Sequence, residues 1–299
     1  MKKIGFSLVL LTIGLACICC KQEDNVDLTT DPQNFSGLFE ATIVHDGIDR
    51  EYLLYVPESY TGTEAVPLVF SLHGAIGSKE KQYNLSRFNE VADKANFILV
   101  TPEATVPNLV TFWNNDSDPA QADDVGFIDA LIDEIASKYQ ISLERIYAAG
   151  SSNGGYMCLQ LACELSDRIA AVAAVKGVMN ETQLNDCMPS RPVAIIQMHG
   201  TEDNNVTYSK VAPTLDFWKE YNQTDTVAIE TDLPDTDPNN ENTVRQHLFA
   251  NGKNGTVVEH LEVIGGKHDW FGEPGTNYDI DATEKVWAFF DKYDINGLR

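Results

Sequence analysis

The sequence predicts an α/β fold, a mostly parallel central sheet with helices on both faces. Two observations carry the prediction. Short, continuously apolar runs such as Pro67 to Leu72 and Ala170 to Val175 alternate with helix-period segments through most of the chain. Four of these runs end in turns rich in glycine, histidine, serine or aspartate, where ligands collect in parallel sheets. No repeat, low-complexity array or Pro/Gly linker marks a second domain, so residues 37–299 read as one domain.

The 299 residues are 43% hydrophobic and carry a net charge of −24. That charge repels nucleic acid and anionic lipid, and excludes both as expected partners. Residues 1–20 hold Lys2 and Lys3, an apolar run from Ile4 to Ala16, and Cys17, Cys19 and Cys20. A short basic region followed by a short apolar one reads as an export signal. Its terminal cysteine resembles a lipoprotein acylation site, with Cys17 and Cys20 the two candidates. Residues 21–36 then read as a polar tether, and the lipid anchor is the one expected membrane contact. Export permits disulfides. Among Cys158, Cys163 and Cys187, pairing of Cys163 with Cys187 is one hypothesis, and the lack of a C-x-x-C pair argues against zinc.

In chain order, two β-like runs flank Asp46-Gly47, a hairpin signal over residues 37–56. The strand from Pro67 to Leu72 ends at His73-Gly74. A helix around Phe88 to Ala95 precedes a strand from Phe97 to Val100. Asp123 and Asp124 cap a helix whose apolar face is Ile128, Leu131, Ile132, Ile135 and Tyr139. A strand from Arg145 to Ala149 leads into Gly150-Ser151-Ser152-Asn153-Gly154, and a helix from Tyr156 to Leu165 follows. Later strands are expected at Pro192 to Met198, Val244 to Phe249 and Thr256 to Ile264. Helices are expected at Pro213 to Tyr221 and around Val286 to Tyr293. Asp235 to Asn239 lacks the glycine and distant glutamate of a calcium loop and reads as solvated acidic chain.

The G-x-S-x-G pattern centres on Ser152, because flanking glycines let a strand turn sharply into a helix with the hydroxyl exposed. A serine needs an imidazole to take its proton and a buried carboxylate to orient that imidazole. Asp203 follows the next marked strand, with Glu202 as its rival. His268 sits in a glycine-rich loop after the last strand. His73 and His199 precede glycines and read as turn braces; His45, His247 and His260 read as surface or packing residues. Backbone N–H groups of Asn153, at a helix start, and of Ala75 are the expected oxyanion donors. Trp113 and Trp270 lie nearest these motifs and are the aromatic candidates for contact with substrate.

The motifs at Pro67–Gly74, Trp113-Asn114 with Asp123–Ile128, Gly150–Gly155, Leu161–Ala171, Arg191–Val193, His199–Thr201 with Asp203, and Gly265–Trp270 resemble one family. It is that of the polyhydroxybutyrate-depolymerase-type esterases, relatives of the feruloyl and acetylxylan esterases of carbohydrate esterase family 1. The resemblance runs over roughly residues 50 to 290. It implies an α/β-hydrolase fold and a cofactor-free and metal-free serine esterase, with Ser152 as nucleophile, Asp203 as acid and His268 as base. It also implies a Cys163–Cys187 bond. Lys267, where the family has glycine, and Phe271, where it often has proline, depart from the pattern and are expected to reshape the acyl pocket. Expected substrates are small esters, or the feruloyl or acetyl esters of plant polysaccharide, or hydroxyalkanoate oligomers. A serine peptidase on the same fold and a non-catalytic glycan-binding lipoprotein are the alternatives.

Overall fold

The computed structural model describes residues 36–105 and 110–299. The chain divides into two units, Met1–Asp31 and Pro32–Arg299, and every described residue belongs to the second. The expected export segment with Cys17 and Cys20, and the tether apart from Ser36, lie outside the described residues.

Alternating apolar runs make the sheet. Strands β3 (Val66–Leu72), β4 (Ile98–Pro102), β6 (Ala171–Val175) and β7 (Ala194–Gly200) are buried at every position, as strands covered on both faces must be. With β1 (Gly37–His45), β2 (Ile48–Val56), β5 (Ile141–Ser151), β8 (Ile229–Asp232), β9 (Thr243–Phe249) and β10 (Val258–Ile264) they form one ten-stranded sheet. The spatial order is β1-β2-β4-β3-β5-β6-β7-β10-β9-β8. Neighbours from β4 through β3, β5, β6 and β7 to β10 run parallel, while β1–β2 and β8–β9 are antiparallel edges. The β1–β2 hairpin closes on Asp46-Gly47, both at positive φ, as that turn requires.

Period-two alternation splits the buried strands β3, β4, β6 and β7 between two cores. Val172 and Ala174 join Leu68, Phe70 and Ile195 beneath α3 (Asp124–Lys138) and α4 (Asn153–Glu164). Ala171, Ala173 and Val175 face the opposite core with Val69, Ile196 and Met198 beneath α2 (Phe88–Ala95) and α7 (Ala282–Phe290). Helix α6 (Val211–Asn222) drives the buried Trp218 into the first core. Helix α3 begins as the sequence predicts, with the Asp123 carboxylate accepting from Gly126 N at 2.8 Å. Asp124 is instead fully buried, and its carboxylate meets Arg50 at 2.5 Å and Asn114 N at 2.8 Å. Burial pushes its pKa up, and the Arg50 guanidinium opposes that rise.

Two short helices, α1 (Lys79–Ser86) and α5 (Glu181–Asp186), and the edge strand β8 fall where the sequence carries no clear periodicity. Each is held by local chemistry. Ser78 caps α1, and Asn180 with Gln183 forms a capping box on α5. Just past α5, Cys187 is bonded to Cys163 of α4, across a sequence separation of 24, while Cys158 stays buried and free. Closing a loop of that length restricts the unfolded chain. The Cys163→Ala/Cys187→Ala variant is therefore expected to lose about 3 kcal/mol, read as a lower urea midpoint; an unchanged midpoint would contradict it.

Candidate active site

Successive parallel strands step their carboxyl ends across one edge of the sheet through backbone bonds. Ser152 N donates to Val175 O, Lys176 N to Met198 O, and Thr201 N to Val263 O, at 2.9, 2.8 and 2.9 Å. Five strand ends thereby converge: His73 to Gly77 after β3, Ser152 after β5, Lys176 after β6, Asp203 after β7 and His268 after β10.

Ser152 sits between β5 and α4 at φ 53° and ψ −117°, a region costly for any residue with a side chain, by about 1–3 kcal/mol. The turn is tolerated because its glycines leave no Cβ in the way. A Cβ on Gly154 would lie 2.3 Å from Leu72 O, and one on Gly150 would lie 2.2 Å from Gly154 O. These approaches press the helix start against the ends of β3 and β5. Asn153 contributes more than its backbone: its side chain accepts from Trp113 N at 2.7 Å and donates to Trp113 O at 3.3 Å. That clamp fixes the segment after residue 110 beside the nucleophile turn.

His268 Nδ1 lies 2.6 Å from Asp203 Oδ2. The Asp203 side chain is fully buried, and its other oxygen accepts from Asn205 N and Val206 N at 2.8 and 2.9 Å. Burial alone would raise its pKa; the bonds from His268, Val206 and Asn205 outweigh it and hold the carboxyl below its usual value. For His268, burial is the largest influence and lowers the pKa, with the Lys176 charge adding to it and Asp203 opposing it. The imidazole is thus neutral near pH 7 and oriented through Nδ1, which suits Nε2 to accept a proton.

Ser152 and His268 line one cavity of about 520 Å³, with Ala75, Ile76, Leu85, Lys81 and Lys176 among its walls. No hydrogen bond joins Ser152 Oγ to His268, a link that commonly tightens only when substrate binds. Glu202 points away: it lines a neighbouring cavity with Lys267 and Tyr278, so the carboxylate on His268 is Asp203 alone.

His73 and His199 brace turns, as read from the sequence. His73 Nδ1 bonds Gly74 O at 2.8 Å and Nε2 accepts from Ala104 N at 3.0 Å; burial lowers its pKa to about 4. His199 lies 2.6 Å from Val206 O and 3.2 Å from Asp203, seating the loop that carries the acid. His260 is buried against Tyr208 and Gln197 O, with a pKa lowered by burial to about 3.

Both tryptophan candidates for substrate contact are corrected. Trp113 is 0% exposed and its indole donates to His73 O at 2.9 Å; Trp270 is 1% exposed and donates to Thr283 Oγ1 at 3.0 Å. Their polar tips are satisfied inside the fold, and neither ring lines the cavity beside Ser152. The expectation that Lys267 and Phe271 reshape the acyl pocket is corrected too, since neither lines the cavity beside Ser152. Phe271 packs in the core against Tyr278, and Lys267 faces the neighbouring cavity. Sequence reasoning missed Ile76, 72% exposed at φ 63°, and Leu85 on the cavity wall, which supply its apolar face. It also missed Lys176, at φ 50°, which lines the same cavity. A lysine just before Gly177, at the end of an otherwise apolar strand, was the signal available.

The prolyl oligopeptidase family model matches residues 120–294, more than half of the chain. A feruloyl esterase B from Piromyces equi is 33% identical over 162 residues, 54% of this chain and 30% of that one. A bifunctional acetylxylan esterase/xylanase from Neocallimastix patriciarum is 25% identical over 252 residues, 84% of this chain and 34% of that one. The chain thus spans about a third of the length of these two relatives. Among solved structures, an acetyl xylan esterase from Aspergillus awamori superposes with a TM-score of 0.65 at 16% identity, over 86% of this chain and 99% of that one. That likeness is one of fold. With its sheet order, its strand-to-helix serine turn and the family match over residues 120–294, the chain belongs to the prolyl oligopeptidase family and has the α/β-hydrolase fold.

Proposed function

We propose that the protein is a serine esterase that cleaves carboxylic esters through an acyl-enzyme. The observation that carries the reading is the 2.6 Å bond between His268 and the buried Asp203, on a cavity that Ser152 also lines. The named relatives are esterases of ferulate and of acetylated xylan, and they support this chemistry over others. In the proposed sequence Ser152 Oγ attacks the ester carbonyl as His268 Nε2 takes its proton. The oxyanion forms within reach of the Asn153 and Ala75 amides, where the start of α4 favours negative charge. Collapse expels the alcohol, protonated by His268. Water, activated by the same imidazole, then releases the acid. Asp203 stays ionised throughout and stabilises the imidazolium.

Feruloyl or acetyl esters of polysaccharide, and hydroxyalkanoate oligomers, are the proposed substrate classes. Peptide cleavage is the second reading, favoured by the family match, because the same groups attack an amide. Export and acylation of Cys17 or Cys20 are proposed from residues 1–20 alone. Among the described residues no helix is long and apolar enough to cross a membrane.

Ser152→Ala and His268→Ala are each expected to lower kcat on p-nitrophenyl acetate and methyl ferulate by about 10⁴-fold or more, with little change in melting temperature. Turnover of peptide anilides in preference to these esters would favour the peptidase reading, and equal turnover by Ser152→Ala would remove Ser152 from the mechanism. The pH profile supplies a second check. His268 must be neutral to act, and its pKa is lowered, so the protonated, inactive form appears only below the ordinary histidine value of about 6.5. The acid limb of kcat/KM is therefore expected below that pH; a limb at or above pH 7 would contradict the assignment.

A further inference from the structure

We propose that the wall of the Ser152 cavity holds a carboxylate-binding subsite centred on Lys176, so that the preferred ester carries a second, anionic carboxylate near its scissile bond. The inference rests on the esterase reading for the word ester, but the binding of the anion does not depend on turnover.

The chain has 45 acidic and 21 basic residues, yet the cavity beside Ser152 is lined by Lys176 and Lys81 and by no aspartate or glutamate. Neither lysine has a carboxylate within 4.0 Å, whereas Lys79, one turn from the same wall, is held by Glu40, Glu51 and Glu80. Lys176 is only 8% exposed. Its ammonium has three donors and makes one hydrogen bond, to His268 O at 3.0 Å. The nearest acidic influences, Glu273, Asp269 and Asp203, act on it without contact, and burial pulls its pKa down.

A buried cation without a counter-ion is costly, and persists where something else gains from it. The backbone makes the same point. Lys176 is held at φ 50°, a left-handed conformation that glycine or asparagine adopts at lower cost, immediately before Gly177. Gly177 lets this strand end press on the start of α4, since a Cβ there would lie 2.8 Å from Gly155 and 2.9 Å from Ser152 O. The strained lysine is thus fixed beside the nucleophile turn. A carboxylate entering the cavity would supply the missing counter-ion and accept the two spare N–H bonds. Ile76 and Leu85, which line the same cavity, would take the apolar part of the same molecule.

Two sources of the anion are distinguishable: a carboxylate on the acyl side, as in the half ester of a dicarboxylic acid, or on the alcohol side, as in a hydroxy-acid oligomer with a free end. The test compares p-nitrophenyl hemiglutarate with p-nitrophenyl pentanoate, and the hydroxybutyrate dimer with its methyl ester. In the wild-type protein at least one charged ester is expected to exceed its neutral partner in kcat/KM by about tenfold. Lys176→Met is expected to abolish that ratio and Lys176→Arg to restore most of it. A role confined to holding the His268 loop would instead lower charged and neutral esters together, leaving the ratio unchanged. That result would overturn the proposal.

Glutarate binding to Ser152→Ala, measured by calorimetry, gives an arm independent of catalysis. Adding Lys176→Met is expected to weaken it about tenfold, and equal binding would overturn the subsite. Absence of turnover on all four esters, with glutarate binding still dependent on Lys176, would reject the esterase reading and keep the subsite. If Lys176→Met fails to fold, Lys81→Glu, at the exposed lysine that lines the same cavity, is expected to lower the charged-to-neutral ratio; no change would count against the proposal.

Discussion

The close approach of α4 to three strand ends is the constraint on which the rest depends. Gly154 presses on the carbonyls of Leu72, at the end of β3, and of His73 just after it, Gly150 on Gly154, and Gly177 on Gly155, each at distances that exclude a side chain. Only with those contacts made does Ser152 hold its strained turn, and only then do Ala75 and Lys176 line the same cavity. The cost of the turn is offset across the sheet, where strands buried on both faces pack two apolar cores against it.

A second layer keeps the loops in place. The Asn153 side chain holds Trp113 through its backbone, and the Trp113 indole holds His73 O. His199 and the Asn205 and Val206 amides seat Asp203, while Arg87 reaches Gly272 O and Asp281 at 3.0 Å to fasten the chain beyond His268. The groups proposed for catalysis thus occupy loop positions yet are tied to rigid elements, as precise chemistry requires. The same residues also explain the electrostatics: a buried, ionised Asp203 and a neutral His268 are set by what surrounds them.

Much of this was legible from residues alone. Buried strands such as β3 and β6 announce themselves as unbroken apolar runs, and α3 by its cap and its stripe from Ile128 to Ile135. Ser152, Asp203 and His268 stand out because each follows a strand in a turn that packing alone would not demand. What escaped was short or satisfied by polar contacts. Helix α5 is held by a capping box and strand β8, exposed at every position, by pairing with β9, so neither has a hydrophobic period to read. Trp113 and Trp270 misled because proximity in sequence to a motif does not say which way a ring faces. Lys176 was overlooked because one lysine at a strand end means nothing until the cavity around it is seen.

The proposed chemistry depends on Ser152 as the attacking group. Its most direct test is to treat the full chain with a fluorophosphonate and map the adduct by peptide mass spectrometry. A single phosphonyl group on Ser152, lost when His268 is replaced by alanine, is the predicted result. Labelling of Ser151 or another residue, or none under conditions where the protein is folded, would contradict it.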